Sequence, residues 1–247
     1  MPTVDTLTDS ALGFLTTVPP TSQGVCDVCH GAPGAGYRRC YSCAQTCAQV
    51  SEPVTRVVPI SLYQSLGQLH LVLRGYEDSR DATARDNFAL IVAALLTRYL
   101  RRHGSCVAEA AGADWDSITS VPSSKDRPVP HPLERAIQCS LFLREQFDQP
   151  LVRGTGPLGH RRASDGAFKA SRDLSGRRIL LLDDTFTTGA ALESAASSLT
   201  NAWATVVAAV VVGRVINPEF GPEAAALWER ATRVPFDFER CCLCSSD

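Results

Sequence analysis

Four features are missing from this chain, and each absence narrows what it does. The longest apolar run, residues 88–96, is far short of the ~20 residues that cross a bilayer. Residues 1–20 hold no Lys or Arg, so the basic start of an export signal is absent. Together these lead to the expectation of a soluble cytoplasmic protein with no membrane partner. No Gly-x-x-x-x-Gly-Lys-Ser/Thr occurs anywhere, which argues against a P-loop nucleotide site. Positive charge is not in excess: 24 Lys and Arg face 26 Asp and Glu, for a net charge of −2, so bulk electrostatics provide no general grip on nucleic acid. What remains, 247 residues of which 45% are hydrophobic, suits a globular chain with one catalytic domain of ordinary size and a small module.

The ten cysteines would suggest a disulfide scaffold in a short secreted protein. Here they cluster as Cys-x-x-Cys pairs without an export signal, which points to metal. Cys26 and Cys29 form one knuckle and Cys40 and Cys43 another, with a glycine-rich spacer of ten residues between them. Each knuckle brings two thiolates to a tetrahedral ion, so residues 25–50 read as a zinc ribbon; disulfides are the weaker alternative in a reducing compartment. Four thiolates leave no open position for substrate, so the expected zinc is structural, and a segment this short depends on it to fold. Arg38 and Arg39 are the module's only basic residues, which favours a folding staple or docking platform over nucleic-acid binding. Near the C-terminus, Cys241, Cys242 and Cys244 could join Cys47 or His30 in a second site, although a free Cys-rich tail over 241–247 is the plainer reading. Cys106 and Cys139 read as small hydrophobes.

Taken in order, residues 1–24 are Thr-, Ser- and Pro-rich and read as a flexible tail. Residues 55–62 and 69–73 are strand-like. Residues 78–102 read as a long helix, closed by Gly104, whose basic end (Arg98, Arg101, Arg102, His103) complements the helix dipole. Residues 115–121 suggest a core strand followed by a polar loop in which Ser123, Ser124, Lys125 and Arg127 are donors suited to an anion. Residues 133–147 suggest an amphipathic helix. Residues 151–177 read as mostly loop. The Gly154-Thr-Gly156-Pro-Leu-Gly159 within it mimics a dinucleotide fingerprint but contains Pro157 and precedes no apolar helix. A mobile flap carrying His160, Arg161, Arg162, Lys169 and Arg172, able to close over pyrophosphate, is the better reading. Residues 205–215 form another buried strand and 223–231 a short helix.

The most informative stretch is 179–192: an apolar run, then Asp183-Asp184-Thr185-Phe186-Thr187-Thr188-Gly189, then helix formers with apolar residues at helical spacing. This predicts a buried strand, a turn and a helix start, with the two acids at the carboxyl end of the strand, where α/β sheets bind ligands. Backbone N–H groups at a helix start hold phosphate. Thr185, Thr187 and Thr188 add hydroxyl donors, Gly189 allows close approach, and Asp183 and Asp184 suit vicinal hydroxyls. A sugar phosphate satisfies both halves. Walker B segments also place acids after a strand but come with a P-loop, and a dehalogenase-type phosphatase would need Asp at position 185.

The stretch resembles the phosphoribosyl-pyrophosphate (PRPP) loop of type I phosphoribosyltransferases. The order of zinc knuckles, long helix, Val121-Pro122 loop, Gly166-Ala167-Phe168 and Asp-Asp-x-x-Thr-Thr-Gly further resembles the ComF/GntX-type members, over about residues 26–215. The resemblance implies an α/β fold: a parallel-sheet, Rossmann-like phosphoribosyltransferase core over residues 51–240 with the four-cysteine zinc ribbon before it. It implies transfer of the 5-phosphoribosyl group to an acceptor with release of pyrophosphate. Asp183 and Asp184 would be catalytic, Thr185, Thr187, Thr188 and Gly189 would hold the 5′-phosphate, and Ser123, Ser124, Lys125, Arg161 and Arg162 would hold the pyrophosphate with Mg²⁺. The family's Arg-Gly-Phe-Asn-Gln segment is not found within residues 126–138. A non-catalytic PRPP or nucleotide sensor is the alternative. A DNA-uptake accessory, suggested by the family's name, gains no support from the weak basic content. A homo-oligomer or protein partner is left open.

Overall fold

Three of the apolar runs lie side by side as parallel strands. The computed structural model describes residues 3–123 and 131–244. In chain order these form helices α1 (Val4–Asp9) and α2 (Tyr41–Cys47), strand β1 (Val57–Tyr63), helices α3 (Gln68–Asp78) and α4 (Ala82–Ala111), strand β2 (Ser117–Ser120), short helices α5 (Pro132–Gln138) and α6 (Leu141–Arg144), strands β3 (Leu151–Arg153), β4 (Phe168–Ala170) and β5 (Arg178–Phe186), helix α7 (Ala190–Asn201), strand β6 (Thr205–Val215) and helix α8 (Pro222–Thr232). The result is a mixed α/β fold around a parallel four-stranded sheet of order β1-β6-β5-β2, with β3 and β4 as a separate antiparallel pair.

Successive strand residues point to opposite faces, and both faces are covered. Val58, Ile60, Leu62, Leu180, Leu182, Val210 and Val212 join α3, α4 and α5 in one core. Val57, Ile179, Leu181, Ala209 and Val211 join α7 and the Cys26–Cys43 cysteines in the other. Burial on two sides is why these strands read as continuous apolar runs rather than alternating ones.

Several expectations change. Residues 69–73 lie in α3, not in a strand: their leucines and valine bury Leu69, Val72 and Leu73 at helical spacing. The long helix does not stop at Gly104. It runs on to Ala111 and ends at Gly112 in the left-handed conformation (φ 72°). Gly104 lies close to the Trp115 ring, so tertiary packing overrides its poor propensity. The helix expected over 133–147 breaks at Cys139–Ser140 into α5 and α6, with Ser140 capping the second.

Residues 3–24, expected as a tail, are docked. Arg98 on α4 reaches Asp5 and Asp9 at 3.5 and 2.6 Å, and Leu62 N–H donates to the Thr16 carbonyl at 3.1 Å, covering the outer edge of β1. Among the described residues, no helix is long and apolar enough to cross a membrane.

Candidate functional site

β5 pairs with β6 past the two acids: Asp183 lies opposite Val211, Thr185 opposite Gly213 and Phe186 opposite Arg214. The strand therefore extends three residues beyond Asp183, and the turn into α7 is only 187–189. Gly189 caps α7 with φ 84°. A Cβ there would sit 2.6 Å from Phe186 Cζ, so both backbone and space require glycine. The first-turn N–H groups of α7 have no intrahelical acceptors, and the cavity reaches the helix start at Thr187 and Thr188.

Asp184, Thr185, Thr187 and Thr188 line one cavity of about 700 Å³, together with Tyr63, His70, Arg74, Arg161 and Arg214. This falls in the range of small-molecule sites. Asp184 accepts a short hydrogen bond from the Tyr76 hydroxyl. Asp183 is partly buried, does not line the cavity and accepts from the Asp184 N–H at 3.0 Å; burial, and then the Asp184 carboxylate beside it, push its carboxyl well above the usual range. The Thr188 hydroxyl donates to the His160 carbonyl, and Thr46 Oγ1 donates to the Thr188 carbonyl at 3.2 Å. The turn is thus fixed from two sides.

Of the other sequence candidates, Arg161 reaches the cavity with its guanidinium over Tyr41, 5.7 Å from the ring centre. Arg162 is exposed in the adjoining turn and does not line it. Ser123 follows β2, whose neighbour Val121 donates N–H to Leu182 at 2.9 Å. Residues 121–123 thereby leave the sheet beside the β5 residues 182–183, although Ser123 itself does not line the cavity. Ser124, Lys125 and Arg127 lie outside the described residues.

The segment expected as a flap is held in place. Gln49 bonds to the Arg161 carbonyl and the Ala163 N–H at 3.2 and 2.7 Å. Asp165 accepts from Ser51 N–H and Ser197 at 2.9 and 2.6 Å.

Cys26, Cys29, Cys40 and Cys43 converge with all four sulfurs within 4.8 Å of one another, and Cys29 and Cys40 are 3.7 Å apart. His103, Cys106, Cys241 and Cys244 form a second convergent set. Both clusters have the geometry to bind a metal ion. The C-terminal thiols do not meet Cys47 or His30. Burial and the neighbouring Glu193 push the Cys47 thiol up to about 12, and it donates to Glu193 at 3.5 Å. His30 Nδ1 lies 2.9 Å from the Pro19 carbonyl.

Sequence reasoning does not pick out Arg214 as a site residue. It is 6% exposed and bridges the first cluster to the turn. Nε donates to Cys29 Sγ at 3.3 Å, and Nη1 donates to the carbonyls of Phe186, Thr187 and Val215 at 3.2, 3.1 and 2.6 Å. The available signal is a lone charge in an otherwise apolar strand, which demands a buried partner. Comparison with protein-family models and with curated proteins finds no match to this chain.

Proposed function

We propose that the chain binds PRPP at the carboxyl edge of β5 and transfers its 5-phosphoribosyl group to an acceptor nucleophile with release of pyrophosphate, as a type I phosphoribosyltransferase of the ComF/GntX kind. The observation that carries this reading is the grouping of Asp184, Thr185, Thr187, Thr188 and Arg161 around one cavity where a parallel strand meets a helix start. Acceptor-only carboxylates suit a ribose diol. Helix N–H groups and threonine hydroxyls suit the 5′-phosphate, and Arg161 supplies a fixed cation for the departing pyrophosphate. As the glycosidic bond loosens, positive charge grows on the ribose ring and negative charge on the leaving group. Asp184 stabilises the first, positioned by Asp183, which accepts from the Asp184 N–H at 3.0 Å, and Arg161 stabilises the second. Mg²⁺ bound with the pyrophosphate would supply counter-charge to the leaving group, beside Arg161.

In this reading the Cys26–Cys43 cluster holds zinc. The 3.7 Å separation of Cys29 and Cys40 fits the roughly 3.8 Å edge of a tetrahedron with Zn–S bonds of about 2.3 Å. Cys26, Cys29 and Cys43 are fully buried, which suits a closed structural site.

A second reading, a sensor that binds PRPP or a nucleotide without turnover, draws on the engagement of Asp184 by Tyr76 and of Thr188 by His160. A ligand replacing these contacts would shift α3 and the 159–162 turn, the kind of displacement a partner could read. Labelled PRPP with a panel of bases and amines separates the two. Binding with pyrophosphate release supports the enzyme, and binding without release under any acceptor supports the sensor. Absence of PRPP binding removes the enzyme and the PRPP sensor together.

A further inference from the structure

We propose that His103, Cys106, Cys241 and Cys244 bind a second zinc ion, one that fastens the C-terminal segment to the second half of α4. The four donor atoms lie within 4.8 Å of one another. Cys241 and Cys244 sulfurs are 3.4 Å apart, Cys106 and Cys244 3.9 Å, and His103 Nδ1 lies 3.8 and 3.7 Å from Cys106 and Cys244. A tetrahedral ion with Zn–S near 2.3 Å and Zn–N near 2.0–2.1 Å has edges of roughly 3.6–3.8 Å. The donors already stand at about those separations.

The supporting contacts are those of a ligand set rather than of stray thiols. His103 and Cys106 are three residues apart on α4 and share one face of it. Cys241 and Cys244 form a Cys-x-x-Cys knuckle whose Cys244 N–H closes on the Cys241 carbonyl at 3.1 Å, and Leu243 N–H points at Cys241 Sγ at 3.4 Å. His103 Nε2 lies 3.0 Å from the Phe238 carbonyl. A carbonyl only accepts, so Nε2 carries the proton and Nδ1 turns its lone pair toward the sulfurs, the orientation that ligating histidines acquire from their outer partner. The segment is also held laterally. Arg98 stacks over Phe238 at 4.4 Å and Arg102 meets Glu239 at 2.5 Å. Three thiolates and one imidazole select zinc among the common divalent ions and leave no position open, so the role is structural. Cys242 and Phe238 belong to the α4 side of the sheet and the first cluster to the other, so the two sites are independent.

Zinc analysis of the full chain purified with reductant tests this. About two zinc ions per chain are expected, falling to about one in Cys241→Ser with Cys244→Ser and in His103→Asn, while Cys26→Ser with Cys29→Ser keeps the second ion and loses the first. A Cys241/Cys244 variant that holds as much zinc as the parent overturns the proposal. Should those variants fail to fold, thiol alkylation of the unaltered protein, read by mass spectrometry, gives the answer. Cys106, Cys241 and Cys244 should be protected until a chelator is added. Labelling at the same rate with and without chelator, or recovery of Cys241 and Cys244 as a disulfide, overturns it.

Discussion

Replacing Arg214 by methionine should destabilise the protein more than any other single change on the cluster side of the sheet. The arginine is almost fully enclosed and donates from Nη1 to three carbonyls and from Nε to Cys29. Its guanidinium also packs 5.1 Å from the Phe186 ring centre. Methionine fills similar volume but donates nothing, so the Phe186, Thr187 and Val215 carbonyls and the thiolate cluster all lose a charged partner. Each such hydrogen bond is worth roughly 1.5–3 kcal/mol. Part of that is offset because a guanidinium no longer has to be desolvated, which leaves a net loss of about 3–5 kcal/mol, the range seen when one member of a buried charged pair is removed. In a chain of this size that is a fall in Tm of roughly 6–20 °C.

Arg214→Lys should recover only part of the loss, since a single ammonium cannot serve carbonyls and sulfur together. Guanidinium-chloride unfolding at neutral pH with reductant measures the difference. A methionine variant within about 1 kcal/mol of the parent would show that the bridge contributes nothing. Because Nη1 holds the 186–187 carbonyls, PRPP affinity should fall as well.

Glu193 supplies a pH test. It is fully buried, accepts from Val54 N–H at 2.9 Å, and burial pushes its carboxyl up to about 7 from the ordinary 4.5. The folded state therefore binds the proton more tightly, and stability falls as pH rises between about 4.5 and 7, by about 3 kcal/mol in all. Glu193→Gln should flatten that decline in unfolding free energies taken at pH 5 and pH 8, and an unchanged slope would refute the assignment. Gly189→Ala should cost about 1–3 kcal/mol, from positive φ and contact with Phe186 together, readable in the same unfolding assay. Asp183→Asn with Asp184→Asn should reduce pyrophosphate release by roughly 10²-fold or more with the fold intact by circular dichroism; full activity in that variant would remove the role given to the two aspartates.

What is legible in the sequence follows from local patterns. The apolar run of β5, the hydroxyl and glycine turn and the start of α7 all lie within a few residues of one another, and so does each Cys-x-x-Cys pair. Signals from distant residues are not legible. Leu69, Leu71, Val72 and Leu73 form an apolar patch that suits a strand, and only packing against α4 makes it a helix. Arg98, Arg102 and His103 look like a basic helix end because their partners, Asp5, Asp9, Glu239 and the Phe238 carbonyl, lie far away in sequence. The second cluster escapes sequence reading for the same reason: half of it sits on α4 and half beyond residue 240, and no spacing rule links the two. Within the candidate site, the roles of Asp184 and Thr188 in contacts to Tyr76 and His160 depend on chain crossings that no local motif encodes.

The strand order β1-β6-β5-β2 has a consequence for how the molecule is born. β1 emerges early from the ribosome yet finds its parallel neighbour in β6. Roughly 140 residues separate the two strands, so at about 5–20 residues per second β1 waits for roughly 7–28 s without its partner. During that interval the Val57–Tyr63 strand keeps open the edge that β6 covers in the folded chain. A chaperone that guards exposed β-edges would find its longest-lived client here.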